Sequence, residues 1–146
     1  MTTTIWLDMD GTIADLYGVT NWLEMLIAHD PAPYALAAPI VRLSALAKLL
    51  KALQRRGYEI GIVSALAKNS DPEYDEAVRQ AKMEWLAKHL PSVIFDEIKF
   101  LPYEGIKNQV NAGNDILFDD EARHHEAWTG TAYYPDHILE TLRELL

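Results

Sequence analysis

The chain has 146 residues, of which 49% are hydrophobic and 24% are charged, and this composition excludes a fibrous or disordered protein. Its 13 basic and 22 acidic residues give a formal net charge of -9, which disfavours a general nucleic-acid surface or an anionic-membrane surface. Because cysteine is absent, disulfides, thiolate metal sites and a thiol nucleophile are excluded as well.

The N-terminal residues lack a basic segment followed by a long apolar stretch, which is the pattern of a secretory signal. No apolar run approaches the roughly 20 residues that span a bilayer. We therefore expect a cytoplasmic protein without a membrane partner.

The first predicted strand is the apolar run at residues 5–7 of "IWLDMDGT", which stops at Asp8 and Asp10 and breaks at Gly11. Side chains two positions apart on an extended strand point to the same side, so the two carboxylates should lie close together. Neighbouring anions repel each other unless a cation lies between them, so the stretch predicts a metal site. Taken alone, Asp10 and Gly11 could equally form an ordinary turn after a strand.

A mostly helical stretch follows, from about residue 21 to residue 56. The segment "HDPAPYALAAP" is rich in proline and alanine and divides this stretch into two parts. We call the first part, about residues 16–38, the small lobe, and the second is a helix near residues 40–56. Tyr17 and Trp22 of the small lobe could stack on a nucleobase or another aromatic group, or they could simply pack on each other.

Strand and helix patterns alternate through the rest of the chain. The run "YEIGIVSAL" predicts a buried strand that ends near Ser64. The run "SDPEYDEAVRQAKMEWLAKHLP" predicts a long helix with an N-terminal cap and Pro91 as its stop. Three further strands are predicted in "VIFDEIKFL", "DILFDD" and "TAYYP", and a closing helix in "DHILETLRELL". This alternation predicts a single α/β domain over residues 1–146, with a parallel sheet covered on both faces.

In open α/β sheets, ligands bind outside the carboxyl ends of the strands, so the residues at those ends matter most. Polar residues stand at the ends of the first, second and fourth predicted strands: Asp8, Asp10, Ser64, Asp119 and Asp120. Such a group of carboxylates could hold Mg²⁺, which prefers oxygen ligands and retains room for phosphate oxygens. Lys107, in the segment that leads into the fourth strand, would offset part of the negative charge.

These residue types suit phosphoryl transfer. Asp8 could attack phosphorus to form an aspartyl-phosphate, which water would then hydrolyse. Asp10 would protonate the leaving oxygen and afterwards accept a proton from the water, while Ser64 would bind a phosphoryl oxygen. Of Asp119 and Asp120, one would bind the metal directly and the other would support it, and the sequence leaves open which is which.

In this order, the residues resemble the four motifs of the haloacid dehalogenase (HAD) superfamily, the aspartate-nucleophile phosphatases. "DMDGT" resembles the first motif, "IGIVS" the second, the lysine of "GIKNQV" the third and "ILFDD" the fourth. The resemblance implies a three-layer αβα Rossmann-like fold of about five strands in the order 5-4-1-2-3, with a minimal helical cap. It also implies that Asp8 and Asp10 are the catalytic pair. The implied phosphate-binding residues are Gly11, Thr12, Ser64 and Lys107. The implied Mg²⁺ ligands are Asp8, Asp10, Asp119 and Asp120.

Several assignments have competitors. Lys99 competes with Lys107 for the third motif, but Lys99 falls within a predicted strand, so we favour Lys107. His124 and His125 could suggest a metal site, but adjacent residues of a helix do not share a face, so we expect them to be solvated. The remaining tryptophans are expected in the core: Trp6, Trp85 and Trp128.

The pair "FDD" soon after a lysine, together with "WLAKHLPSVIFDEI", resembles the 5′-nucleotidase and deoxyribonucleotidase branch of the superfamily. That branch usually has a substantial helical cap, whereas only the small lobe is available here. We therefore predict a Mg²⁺-dependent phosphomonoester hydrolase acting on a small molecule, with a nucleotide as candidate substrate. An open site could also admit a polymeric phosphoester, either a nucleic-acid end or a phosphoprotein, or a second copy of the chain could close it. The alternative is a binding or regulatory module with little turnover.

Overall fold

A central sheet of five strands organises the computed structural model, which describes residues 2–146. Within that range the strands are β1 (Thr4–Leu7), β2 (Ala14–Asp15), β3 (Ala38–Pro39), β4 (Glu59–Ala65), β5 (Glu97–Leu101), β6 (Ile116–Phe118) and β7 (Thr131–Tyr133). The central sheet runs β5-β4-β1-β6-β7, and every neighbouring pair in it is parallel. The predicted α/β fold with a parallel sheet is confirmed.

The order of the strand labels differs from the predicted 5-4-1-2-3, because two short strands that were not predicted enter the numbering. These strands, β2 and β3, pair antiparallel with each other outside the central sheet. When only the five strands of the central sheet are numbered along the chain, the order is 3-2-1-4-5, which is 5-4-1-2-3 counted from the opposite edge. The strand that leads into Asp8 therefore lies in the middle of the sheet.

The helices are α1 (Trp22–Ile27), α2 (Ala32–Leu36), α3 (Leu43–Arg55), α4 (Pro72–His89), α5 (Ala122–Ala127) and α6 (Ile138–Leu145). The predicted cap of α4 is present, because the Asp71 side chain accepts a hydrogen bond from the backbone N–H of Tyr74 at 2.7 Å. Within residues 2–146, no helix combines the length and the apolar character needed to cross a membrane.

Apolar side chains cover both faces of the central sheet. Successive residues of a strand point to opposite faces. In β1, Ile5 and Leu7 accordingly lie in a core cluster with residues of α3 and α6, whereas Trp6 lies in a separate cluster with Trp128. Helices thus flank the sheet in a three-layer, Rossmann-like arrangement. The predicted burial of the three tryptophans is confirmed: Trp6, Trp85 and Trp128.

The small lobe joins the fold through the paired strands β2 and β3. It contains a 3₁₀ helix at Leu16–Gly18 followed by α1 and α2. Its buried residues Leu16 and Tyr34 pack in one cluster with Leu66, just beyond the carboxyl end of β4, and with Val78 of α4. The lobe is therefore anchored beside the edge of the sheet where the strand-end residues lie.

The buried carboxylate of Asp115 lies at the start of β1 and β6, at the edge of the sheet opposite the carboxyl ends of the strands. The Asp115 side chain accepts hydrogen bonds from the backbone N–H of Thr4 at 3.0 Å, from the indole Nε1 of Trp6 at 3.1 Å and from the backbone N–H of Ala112 at 2.9 Å. Three donors satisfy a carboxylate that is only 2% exposed. Asp115 therefore joins the start of β1 to the turn before β6.

We expect Asp115→Ala to lower the free energy of unfolding by about 3 kcal/mol, because it leaves buried donors without an acceptor. Urea unfolding followed by circular dichroism measures this loss. The matched control is Asp136→Ala at an exposed position. A loss below about 0.5 kcal/mol, within the range of ordinary surface substitutions, would show that these hydrogen bonds do not stabilise the sheet.

Candidate functional site

The site begins where β1 and β6 end side by side. Leu7 and Phe118 are paired in the parallel register, so the residues that follow them, Asp8 and Asp119, emerge together at the carboxyl edge. The backbone N–H of Asp8 donates to the carbonyl of Phe118 at 3.0 Å, and that of Asp119 donates to the carbonyl of Tyr133 at 3.1 Å. The backbone therefore fixes the positions of both aspartates.

Lys107 bridges these two aspartates. It starts a 3₁₀ helix, Lys107–Val110, and its Nζ lies 2.7 Å from Oδ1 of Asp8 and 2.6 Å from Oδ2 of Asp119. Burial by itself would lower the pKa of this ammonium group, but the two carboxylates outweigh that effect and raise the pKa. Lys107 is therefore a buried, permanently charged cation. Lys99, the competing lysine, lies within β5.

Asp8, Asp119 and Asp120 form the acidic cluster, in which one oxygen of each carboxylate lies within 4.8 Å of the others. Burial, followed by the charge of Asp8, raises the pKa of Asp119 to about 6. Burial and the neighbouring carboxyl group of Asp8 raise the pKa of Asp120 to about 8. Burial also acts to raise the pKa of Asp8, but Lys107 outweighs it and the net shift is downward. The cluster therefore carries more carboxylate charge than one lysine balances.

Asp120 has an oxygen that no protein group satisfies. Its Oδ1 is buried and lacks a hydrogen-bond partner within residues 2–146. In Asp119, by contrast, Oδ2 binds Lys107 and Oδ1 accepts from the backbone N–H of Glu121 at 2.9 Å. Of the two neighbouring aspartates, Asp120 is therefore the one with an oxygen free for a ligand.

The turn after β1 holds Gly11 and Thr12 against the acidic cluster. Gly11 has φ +82°, and a Cβ there would collide with the carboxylate of Asp120, so glycine is required on both counts. The hydroxyl of Thr12 is fully buried and donates to Oδ2 of Asp8 at 3.1 Å. Thr12 was predicted to bind phosphate, but in this structure its hydroxyl orients the carboxylate of Asp8.

The Asp10 carboxylate lies outside the acidic cluster. Its Oδ2 accepts a hydrogen bond from Nζ of Lys82, in α4, at 2.9 Å. Asp8 and Asp10 were predicted to lie close together because residues two positions apart on an extended strand point to the same side. That reason does not hold here, because β1 ends at Leu7. Burial raises the pKa of Asp10, and the charge of Lys82 only partly offsets that shift. A metal ligand from Asp10 would have to be its backbone carbonyl.

Ser64 lies near the end of β4, fully buried, and its Oγ accepts a hydrogen bond from Nζ of Lys82 at 2.6 Å. Lys82 was not predicted as a site residue. A signal was present, because Lys82 occupies the buried side of α4 in register with Val78 and Leu86, at a four-residue spacing. A lysine within an apolar helical stripe needs a specific partner, and here the partners are Asp10 and Ser64.

The expectation that both histidines of α5 are solvated is wrong for His124. His124 is only 2% exposed, because α5 packs against the 3₁₀ helix that carries Lys107. Burial, followed by the charge of Lys107, lowers the pKa of His124 to about 4, so its ring is neutral. His125 is half-buried, and its Nε2 lies 2.7 Å from the carbonyl oxygen of Asp119. The ring of His125 stacks on the ring of Tyr134. His125 therefore contacts the segment that holds Asp119, and His124 lies between α5 and the 3₁₀ helix of Lys107.

A cavity of about 420 Å³ opens beside these groups, between the small lobe and the loops that follow β4 and β5. Asp8, Asp10 and Lys107 are among its lining residues. Its walls are largely apolar and aromatic and include Tyr17, Trp22, Leu26, Leu66 and Tyr103. The rings of Tyr17 and Trp22 pack on each other edge to face, with their centroids 5.0 Å apart, which is one of the two predicted alternatives. Both residues also line the cavity.

Comparison with known proteins adds little about function. No protein-family model and no curated protein matches the chain. Among solved structures, the crystal structure of an MCSG target from Vibrio cholerae is similar at 20% sequence identity and a TM-score of 0.43, with 99% of this chain and 96% of that chain covered. A likeness at this level carries no argument about what the protein does.

The raised pKa of Asp120 predicts a pH dependence of stability. The carboxyl group of Asp120 holds its proton more tightly in the folded state than in the unfolded chain, where its pKa is 3.8. The bound proton therefore stabilises the folded state fully below pH 3.8, and this stabilisation is lost as the pH rises through about 8. The wild type should therefore lose stability relative to Asp120→Asn between about pH 5 and about pH 8. Thermal unfolding of both proteins across this range measures the difference.

The lowered pKa of His124 makes the folded state less stable as the pH falls below 6.5, which is the opposite direction. This effect is present in both the wild type and Asp120→Asn, so it cancels in the comparison. A difference between wild type and variant that stays constant with pH would contradict the assigned shift of Asp120.

Proposed function

We propose that the protein is a HAD-type phosphatase, a Mg²⁺-dependent phosphomonoester hydrolase that acts through an aspartyl-phosphate on Asp8. One observation carries the proposal: the Asp8 carboxylate lines a cavity, is held between Lys107 and Thr12, and belongs to an acidic cluster whose negative charge Lys107 balances only in part. A buried, oriented carboxylate is suited to nucleophilic attack on phosphorus.

The acidic cluster fits a magnesium ion by its chemistry. Its ligand atoms are all carboxylate oxygens, and one of them is buried without a partner. Burial and the neighbouring carboxyl group of Asp8 raise the pKa values of Asp119 and Asp120. Asp8, Asp120 and the backbone carbonyl of Asp10 would hold the ion, with Asp119 supporting them through Lys107. When bound, Mg²⁺ would neutralise phosphate charge and polarise the phosphoryl oxygens.

The protein groups then account for both halves of the reaction. In the first, an oxygen of Asp8 forms a bond to phosphorus, the bond to the ester oxygen breaks, and Asp10 gives that oxygen its proton. In the second, a water oxygen attacks phosphorus, the bond to Asp8 breaks, and Asp10 takes the proton of the water. The raised pKa of Asp10 and the lowered pKa of Asp8 support this division of roles.

The cavity favours a small substrate with a flat, apolar leaving group. A volume of about 420 Å³ is in the range of small-molecule sites, whereas a polymeric phosphoester would need a more open groove. Trp22 and Tyr103 offer aromatic surfaces on which a nucleobase could stack. A nucleoside monophosphate is therefore our preferred substrate, ahead of nucleic-acid ends and phosphoproteins.

We expect Asp8→Asn to lower kcat for p-nitrophenyl phosphate by about a thousandfold or more, because an amide does not form the phosphoenzyme. The fold should persist, since the shapes are nearly equal and Lys107 keeps Asp119 as a partner. Steady-state kinetics with Mg²⁺ test the expectation, with Asp136→Asn at an exposed position as the control. Residual activity within about tenfold of wild type would rule out Asp8 as the nucleophile.

We expect Asp120→Asn to weaken Mg²⁺ binding and turnover together, because an amide cannot release a proton to become the anionic oxygen ligand that the ion favours. Ca²⁺ should bind yet support little turnover, since it accepts more ligands and could engage both oxygens of Asp8. Calorimetric titration and rate measurements over the same metal range test both points, with the exposed Glu84→Gln as the control. Full activity in excess EDTA, or unchanged Mg²⁺ affinity in Asp120→Asn, would overturn the metal site and favour a different role for the cluster.

A further inference from the structure

Lys82 is a fully buried lysine that the proposed reaction has not used. It lies in the second half of α4, and its Nζ contacts Oδ2 of Asp10 at 2.9 Å, Oγ of Ser64 at 2.6 Å and the carbonyl oxygen of Ala65 at 2.7 Å. An ammonium group has three N–H donors, so all of them are used. The geometry of the group is therefore fully determined by these three acceptors.

Packing alone does not call for a lysine at this position. Its neighbours one helical turn before and after, Val78 and Leu86, are apolar and buried, so an apolar side chain would continue the same stripe. Burying an ammonium group is costly unless it is paired, and an apolar replacement of a buried ion pair often stabilises a protein. The charge of Lys82 thus has a stability cost that a role at the site would explain.

The contacts give Lys82 an effect on Asp10. The ammonium group holds Oδ2 of Asp10, which leaves Oδ1 for exchange of a proton with the substrate. Lys107 has no part in this, since it binds Asp8 and Asp119. The two buried lysines therefore orient different carboxylates.

The same ammonium group orients Ser64. When the hydroxyl oxygen accepts from Lys82, its own hydrogen must point in another direction. The ring of Tyr34, in α2 of the small lobe, lies 4.9 Å from Nζ and is itself buried, so it shields the ammonium group from water. Lys82 therefore connects Tyr34 of the small lobe, Ser64 near the end of β4 and the carboxylate of Asp10.

We propose that Lys82 is a positioning residue that aligns Asp10 for proton transfer and Ser64 for donation to a phosphoryl oxygen. This inference rests on the proposed function and adds a residue to it. Lys82 itself would not touch the substrate, because its three donors already have acceptors within the protein. Its removal should then reproduce the defects of Asp10 and Ser64 variants and add little to them.

The first experiment compares kcat/KM, which reports the step that releases the leaving group, for wild type, Asp10→Asn, Lys82→Met and the double variant on p-nitrophenyl phosphate and on an alkyl phosphate. We expect Lys82→Met, like Asp10→Asn, to slow the alkyl ester at least about tenfold more than the aryl ester, because only a poor leaving group needs the proton. The double variant should be within about threefold of Asp10→Asn alone. Lys88→Met, at an exposed position of the same helix, should behave as wild type.

The double variant also guards against misfolding, because it contains no unpaired buried charge at this place. If Lys82→Met alone does not fold, the comparison between the double variant and Asp10→Asn decides the matter. An equal loss on both esters, or a double variant more than about tenfold slower than Asp10→Asn, would overturn the inference.

The second experiment does not depend on turnover. Calorimetry with inorganic phosphate in the presence of Mg²⁺ should show Ser64→Ala and Lys82→Met each weakening binding by at least about threefold, with no further loss in their double variant. Additive losses, or unchanged affinity in Lys82→Met, would overturn the inference. A wild type that binds phosphate but hydrolyses no ester would refute the proposed function while this titration still decides the role of Lys82. A wild type that does neither would refute both.

Discussion

Buried carboxylates at one edge of a sheet must be balanced by cations, and the structure of this site follows from that requirement. Asp8, Asp10, Asp119 and Asp120 all lie at the carboxyl edge of the central strands or in the turn beside it. Protein interiors disfavour isolated charges strongly, so each of these groups must be paired, protonated or bound to a metal. Lys107 and Lys82 supply two positive charges, and the acidic cluster retains an excess of negative charge.

The two lysines divide the carboxylates into two environments. Asp8 is next to Lys107 and its pKa is lowered, which keeps it anionic, whereas burial dominates at Asp10 and its pKa is raised. Two aspartates one residue apart thereby acquire opposite tendencies, which is what a nucleophile and a general acid need. Neither environment arises from the local chain, because the lysines come from α4 and from the segment before β6.

The small lobe contributes in two ways. Its residues Tyr17 and Trp22 line the same cavity as Asp8 and Asp10. The ring of its residue Tyr34 lies 4.9 Å from Nζ of Lys82 and covers the ammonium group. The small lobe therefore both lines the cavity and shields a buried charge, and it packs on α4, the helix that carries that charge.

The sequence by itself determined the alternation of strands and helices and the identity of the polar residues at the strand ends. Those features depend on local periodicity and on the parallel sheet that it implies, in which all carboxyl ends meet at one edge. The positions of Asp8 and Asp119 follow from that edge, whereas Lys107 lies in a 3₁₀ helix between β5 and β6. Only the tertiary structure decided which charges pair. It placed Asp10 with Lys82 rather than in the acidic cluster, left an oxygen of Asp120 without a partner and buried His124. These outcomes depend on how α4 and α5 dock on the sheet, and contacts between side chains more than 70 residues apart, such as Lys82 with Asp10 at a separation of 72, have no local signature in the chain.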